Sequence, residues 1–179
     1  MSKKVLIIQT SPRKGGNSDT LADEFAKGAA EGGNVVEQVS LVGKTIHFCR
    51  GCFACQKTKR CVIDDDAVAI AEKVLHADAV VWATPVYYYC CSGQMKTLID
   101  RLNPLFSADY HFRDVYLLAT AAEDGPTTVE GTEKALQGWV DCFEKSKLKG
   151  VVFAGGVNDK GEIAGHKALR EAFEKGRKV

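Results

Sequence analysis

The sequence lacks a charge excess and it lacks any long apolar run. Twenty-four lysines and arginines stand against 23 acids for a net charge of +1, so there is no polybasic face to draw nucleic acid or anionic lipid from a distance. Charges or glycines interrupt every apolar stretch well short of the ~20 residues a membrane helix needs. The run that follows Met1-Ser2-Lys3-Lys4, Val5 to Ile8, is too short for the core of a signal peptide. Internal repeats, linkers and low-complexity tracts are missing, and the four histidines are scattered without a motif. These absences predict a soluble, cytoplasmic protein that acts on small molecules and engages neither nucleic acid nor membrane.

What is present is one domain's worth of chain, 179 residues of which 45% are hydrophobic, expected to form a single domain over 1–179. Lys4 to Gln9 is a short apolar run ending in turn residues, the pattern of a strand buried on both faces. Leu21, Phe25 and Ala29 predict an amphipathic helix from Ser18 to about Glu31, stopped by Gly32-Gly33. Val35 to Val42 is partly polar and suits a sheet edge. Further strands are expected at Ala79–Ala83, Val115–Ala119 and Val151–Ala154. Helical spacing recurs in Ala67/Ile70/Ala71/Val74, in Met95/Leu98/Ile99/Leu102 opened by Ser92, in Leu136/Trp139/Val140/Phe143 and in Leu169/Ala172/Phe173. Strict alternation of strand and helix predicts an α/β fold, a parallel sheet with helices on both faces. In such sheets a ligand sits beyond the carboxyl ends of the strands, where the winding reverses, so the loops after the first, third and fourth strands are the places to look.

The first of these loops, Ser11-Pro12-Arg13-Lys14-Gly15-Gly16-Asn17-Ser18, suits a bound phosphate. Two glycines let backbone amides turn inward, Ser11, Asn17 and Ser18 offer donors, Arg13 adds charge, and the following helix presents its free N–H groups. It is neither the Gly-Lys-Ser/Thr loop of nucleoside triphosphatases nor the Gly-x-Gly-x-x-Gly of dinucleotide folds. A plain turn with Asn17 or Ser18 as helix cap is the competing reading. The loop after the third strand carries Thr84-Pro85-Val86 and three successive tyrosines, Tyr87, Tyr88 and Tyr89, hard to bury together and able to pack a flat ring. The loop after the fourth strand, from Thr120-Ala121-Ala122, has small residues that allow close backbone approach, although a helix cap at Thr127 or Thr128 explains it almost as well.

Ser11-Pro12-Arg13 with Asn17-Ser18, and Pro85-Val86-Tyr87 with Ser92-Gly93, Lys96 and Asp100-Arg101, resemble the flavodoxin-like NAD(P)H-dependent FMN reductases in spacing as well as residue type. The resemblance implies a five-stranded parallel sheet in the order 2-1-3-4-5, with FMN as cofactor and NAD(P)H as co-substrate. It implies that Ser11, Arg13, Asn17 and Ser18 hold the FMN phosphate and that Thr84 to Tyr88, Thr120 and Ala121 border the ring. It implies a homodimer or higher homo-oligomer and a quinone, flavin, other small acceptor or redox protein as electron acceptor. No side chain is expected to act as general acid or base. Lys96 and Arg101 read as structural or subunit-contact residues, with Lys96 and Asp100 an ordinary i, i+4 pair.

Cys49-x2-Cys52-x2-Cys55-x5-Cys61 gathers four of the seven cysteines in a loop from Gly43 to Asp65 with no clean period, and loops of that length are usually functional. The spacing can wrap a [4Fe–4S] cluster, and it resembles the compact motif of the iron–sulfur flavoproteins. Members of the reductase family share a Cys-x-Gly-Cys run of this kind too, so a set of reduced packing thiols stays open beside the cluster. Cys90, Cys91 and Cys142 read as packing residues. Two further readings of function stand beside the reductase: an iron–sulfur electron carrier without a nicotinamide site, and a non-enzymatic sensor or scaffold that kept the fold.

Overall fold

A computed structural model describes residues 2–179. In chain order its elements are β1 (Lys4–Gln9), α1 (Asn17–Glu31), β2 (Val35–Ser40), α2 (Ala54–Thr58), α3 (Asp66–His76), β3 (Ala79–Tyr87), β4 (Cys90–Cys91), α4 (Gly93–Arg101), a 3-10 turn over Asn103–Ser107, β5 (Asp114–Thr120), α5 (Glu130–Val140), β6 (Lys147–Ala154) and α6 (Lys167–Arg177). Five strands run parallel in the order β2-β1-β3-β5-β6. That is the flavodoxin-like arrangement, with the partly polar β2 at an edge as its sequence implied.

The continuous apolar runs make this sheet because successive side chains enter opposite layers. Along β1, Leu6 and Ile8 enter the layer shared with α3, α4 and α5, while Val5 and Ile7 enter the layer shared with α1 and α6. Trp82 of β3 and Leu117 of β5 join the first layer; Val81 and Leu118 join the second. In the second layer α1 and α6 lie close against each other. A Cβ on Gly28 of α1 would lie 2.0 Å from the Phe173 carbonyl oxygen and one on Gly176 of α6 would lie 2.2 Å from that of Phe25, so only glycine lets these two helices close on each other.

Several expectations are corrected. The helix expected to reach Phe143 ends at Val140, and Cys142, expected in the core, is exposed in the turn beyond it. Cys91 is buried, as packing requires, but Cys90 is exposed. The cap at Thr127 or Thr128 that competed with the flavin reading of this loop is not made: α5 begins at Glu130 with no side-chain cap. The two-residue strand β4 folds back on the end of β3, pairing Val86 with Cys91 and Tyr87 with Cys90. Its turn places Tyr88 at φ +49° and Tyr89 at φ +60°, a left-handed conformation that costs an L side chain about 1–2 kcal/mol per residue. Ser92 then caps α4 by accepting from the Met95 amide and donates to the Thr10 carbonyl at 3.1 Å, fixing the hairpin to the end of β1.

Candidate functional site

A cavity of about 260 Å³ opens at the carboxyl ends of the strands, beside the reversal of winding between β1 and β3. Its walls include Ser11, Arg13, Asn17 and Ser18 from the loop after β1, Pro85 to Tyr88 from the end of β3, and Thr120 and Ala121 from the end of β5. Every residue expected to border a flavin is therefore brought to one cavity except Thr84. Thr84 is wholly buried; its hydroxyl accepts from the Ser92 amide at 3.1 Å and donates to the Pro85 carbonyl at 2.9 Å, so it shapes the strand end from behind.

The loop after β1 forms a cradle at the start of α1. Helix α1 follows Gly16 with no side chain capping it, so neither Asn17 nor Ser18 plays the capping role of the plain-turn reading, and the positive end of the helix faces the loop. Gly15 adopts φ +65°, and a Cβ on Gly16 would press on the Arg13 carbonyl at 3.2 Å and the Ser11 hydroxyl at 3.4 Å. Ser11 accepts from the Arg13 amide at 3.0 Å. Asp19 holds the loop from inside: its Oδ2 accepts from the Gly15 amide at 2.8 Å, and its Oδ1 is buried without a partner among the described residues. Burial pushes the Asp19 carboxyl above the usual range, outweighing the opposing hydrogen bonds from Gly15 and Gly16.

The side chain of Asn17 reaches across to the loop after β6. It donates to the Asp159 carbonyl at 2.9 Å and accepts from the Gly161 amide at 3.1 Å, so both ends of its amide are engaged in holding the loop after β6. Arg13 donates to the Asn158 carbonyl at 3.0 Å. These bonds bring Val157, Asn158 and Lys160 into the wall. The stretch from Gly155 to Ile163 resembles the reductase family in sequence, but none of the three was assigned to the site, because their partners lie some 140 positions away. Lys160 Nζ reaches the Lys14 carbonyl at 3.2 Å and is a second cation beside the cradle.

The four clustered cysteines line a separate cavity of about 550 Å³, walled also by Phe53, Ile99, Phe106, Trp139 and Phe143. Cys142 lines it as well. Among the described residues no group of three or more His, Cys, Asp or Glu side chains is already gathered into a metal-ligating set. The wall nevertheless offers N–H groups to sulfur. The Gly51 amide donates to Cys49 Sγ at 3.4 Å, Asn103 donates to Cys55 Sγ at 3.0 Å, and the buried Nε–H of Arg101, on the same wall as Cys61, has no partner.

One side chain closes this loop. Arg101, wholly buried, donates to both oxygens of Asp65 at 2.7 and 2.9 Å, to the His47 carbonyl at 2.8 Å and to the Ile63 carbonyl at 3.0 Å. It thereby ties the segment before Cys49 to the segment after Cys61. Burial raises the Asp65 carboxyl, but hydrogen bonds from Arg101, His47 and Ala67 together outweigh it and hold the group well below the usual carboxylate range. The structural reading of Arg101 and the surface pairing of Lys96 with Asp100 at 2.6 Å both agree with the sequence expectation.

Comparison with known proteins places this geometry in context. The profile of the family described as NADPH-dependent FMN reductase matches residues 3–156. An iron–sulfur flavoprotein of Archaeoglobus fulgidus is 41% identical over 101 residues, 56% of this chain and 46% of that protein, so the chain spans about half the length of this relative. An iron–sulfur flavoprotein of Methanosarcina thermophila is 32% identical over 134 residues, 75% of this chain and 69% of that one. The solved NAD(P)H:quinone oxidoreductase of Methanothermobacter marburgensis superposes with a TM-score of 0.72, covering 99% of this chain and 96% of that one, at 19% identity. That last likeness is one of fold.

Proposed function

The chain belongs to the NADPH-dependent FMN reductase family, close to the iron–sulfur flavoproteins, and from that premise we propose that it is an FMN-dependent oxidoreductase carrying reducing equivalents from NAD(P)H to a quinone, flavin or other small acceptor. The observation that carries this reading is the polar cavity at the strand ends, where the cradle after β1 meets the loops after β3 and β5. Bound FMN would supply hydride acceptance from the nicotinamide and electron release to the acceptor. The protein's part is positional. The first-turn amides of α1 with Ser11 and Ser18 would hold the phosphate, Arg13 and Lys160 would balance its charge, and the backbone of Val86 to Tyr88 and of Thr120 to Ala121 would border the ring. Asn17 would serve through its backbone amide, its side chain being committed to the loop after β6. An intact cradle speaks against a scaffold that has lost its ligand.

The hydrogen-bonded thiols favour a second cofactor. Cys49, Cys52, Cys55 and Cys61 would hold a [4Fe–4S] cluster, which supplies one-electron transfer, with Gly51, Asn103 and Arg101 furnishing N–H groups toward sulfur. A homodimer with redox partners drawn from small acceptors or a redox protein completes the proposal.

One experiment tests both cofactors: the absorption spectrum and acid-labile sulfide of protein purified without air, followed by FMN titration and NADPH addition. Stoichiometric flavin bleached by NADPH, together with sulfide, is expected. No association on titration ends the flavin reading. Flavin without sulfide, even after reconstitution with iron and sulfide, removes the cluster and leaves the reductase standing.

A further inference from the structure

The turn between β3 and β4 is strained backbone at the rim of the cavity, and it carries two tyrosines. Among the described residues only four non-glycine positions have positive φ: Phe53 and Lys59 on the cysteine loop, and the neighbours Tyr88 and Tyr89. A hairpin whose two central residues both need positive φ is ordinarily filled by Asn-Gly or Gly-Gly. Here aromatic side chains occupy both places.

Packing does not explain the Tyr88 ring. It lines the cavity, yet its exposure is 102%, so no part of the chain covers it. Its surroundings fix the turn instead. Tyr89 donates its hydroxyl to Glu123 Oε2 at 2.7 Å, latching the hairpin to the loop after β5. Gly131 of α5 makes room for the Tyr89 carbonyl oxygen, which would lie 2.1 Å from a Cβ at that position. The turn is thus held from below while the ring above it stands free. Strain retained without a packing return belongs to functional positions, and a free aromatic face beside a redox cavity is suited to another flat ring.

We propose that Tyr88 is the residue on which a flat, uncharged aromatic acceptor of the quinone type stacks as it faces the cofactor, and that the strained turn holds the ring out for that contact. The inference rests on the flavin reading and adds to it the recognition element for the acceptor. Tyr89 and Glu123 are positioning residues that act through the turn.

The test uses the full chain loaded with FMN, NADPH as donor, and two acceptors: menadione, which is flat and uncharged, and ferricyanide, which offers no ring. Tyr88→Ala is expected to lower the ratio of kcat/KM for menadione to that for ferricyanide about tenfold, the scale of one lost aromatic stacking contact. Tyr88→Phe is expected to keep the ratio. Tyr88→Gly is expected to lower it as alanine does while raising Tm by about 3 °C, because glycine relaxes the turn; this readout does not depend on turnover. An unchanged ratio in Tyr88→Ala overturns the inference, and so does a fall of that variant to a smaller oligomer, which would assign the ring to a subunit contact. If the parent protein neither binds FMN nor reduces either acceptor, the flavin reading itself fails and this inference falls with it. An active parent with an insensitive ratio sinks the Tyr88 assignment alone.

Discussion

The polar cavity and the thiol cavity share one sheet but owe their shapes to different forces. The polar cavity is assembled from the connections after β1, β3, β5 and β6, each rooted in a hydrogen-bonded strand, and is cross-tied by Asn17 and Arg13 to the loop at 158–161. The thiol cavity leans on one long loop whose only regular element is the five-residue α2, closed by the single guanidinium of Arg101. A site rooted in strand ends inherits its geometry from the sheet, whereas a site on a loop depends on whatever clamps the loop. The first cavity stands formed; the second brings its thiols to one wall without converging them.

The dependence of the thiol cavity on its clamp is largest at Arg101. Arg101→Met would leave Asp65 buried, charged and without its partner, a change that costs about 3–5 kcal/mol. Chemical denaturation is expected to register that loss, and limited proteolysis should accelerate within 47–65 while FMN affinity holds. The pH dependence has a fixed sign. Because the folded-state pKa of Asp65 is depressed, its contribution is present above the unfolded value of about 3.9 and disappears as pH falls through the folded value. A loss smaller than about 1 kcal/mol in Arg101→Met would mean the loop does not depend on this clamp.

The same contrast explains what could be read from the sequence. The strands and the loops that wall the polar cavity were legible because strands buried on both faces are continuous apolar runs and because topology dictates where their loops converge, whereas the strand order came from the family resemblance. Topology pointed to the loops that carry Ser11, Pro85 and Thr120, and the resemblance supplied their roles. Thr84 adjoins Pro85 in sequence but is absent from the cavity wall, because its side chain turns toward Ser92. The hairpin at Tyr88–Tyr89 escaped notice for lack of the Asn or Gly that marks such turns, and β4 is too short to show a period. Lys160 and Asn158 reach the cavity only through tertiary hydrogen bonds. Cys142 looked like core because it adjoins Phe143 in an apolar helical pattern, and the helix ends two residues before it.

A smaller effect is expected at Asn17. Asn17→Ala removes both bonds to the segment at 159–161 and leaves a carbonyl and an amide unpaired, at a cost of about 1–3 kcal/mol. The wall formed by Val157, Asn158 and Lys160 then loses its anchor, so FMN affinity measured by fluorescence titration is expected to fall about tenfold, or 1.4 kcal/mol. Iron and sulfide content should stay at the parent level. An undiminished affinity would show that the loop after β6 is not part of the flavin site, and the polar cavity would then rest on three connections.

The smallest effect separates the two cavities by the sign of a carboxylate. Asp19 and Asp65 are both buried, but Asp19 has an oxygen without a partner where Asp65 has Arg101. The folded-state pKa of Asp19 is raised, so its favourable contribution is complete below the unfolded value and is lost as pH rises through the folded one. At neutral pH the ionised group therefore weighs against the fold, and Asp19→Asn, which keeps an oxygen for the Gly15 amide, should leave Tm unchanged or slightly higher. That gain should shrink as pH falls and be gone below the unfolded value of about 3.9, where the parent carboxyl is protonated in both states. If Asp19→Asn instead lowers Tm at neutral pH and the gap closes on acidification, the negative charge itself steadies the Gly15 and Gly16 amides. The cradle would then be held by a charge, as the cysteine loop is, and the contrast between the two cavities would narrow to the number of groups that hold each.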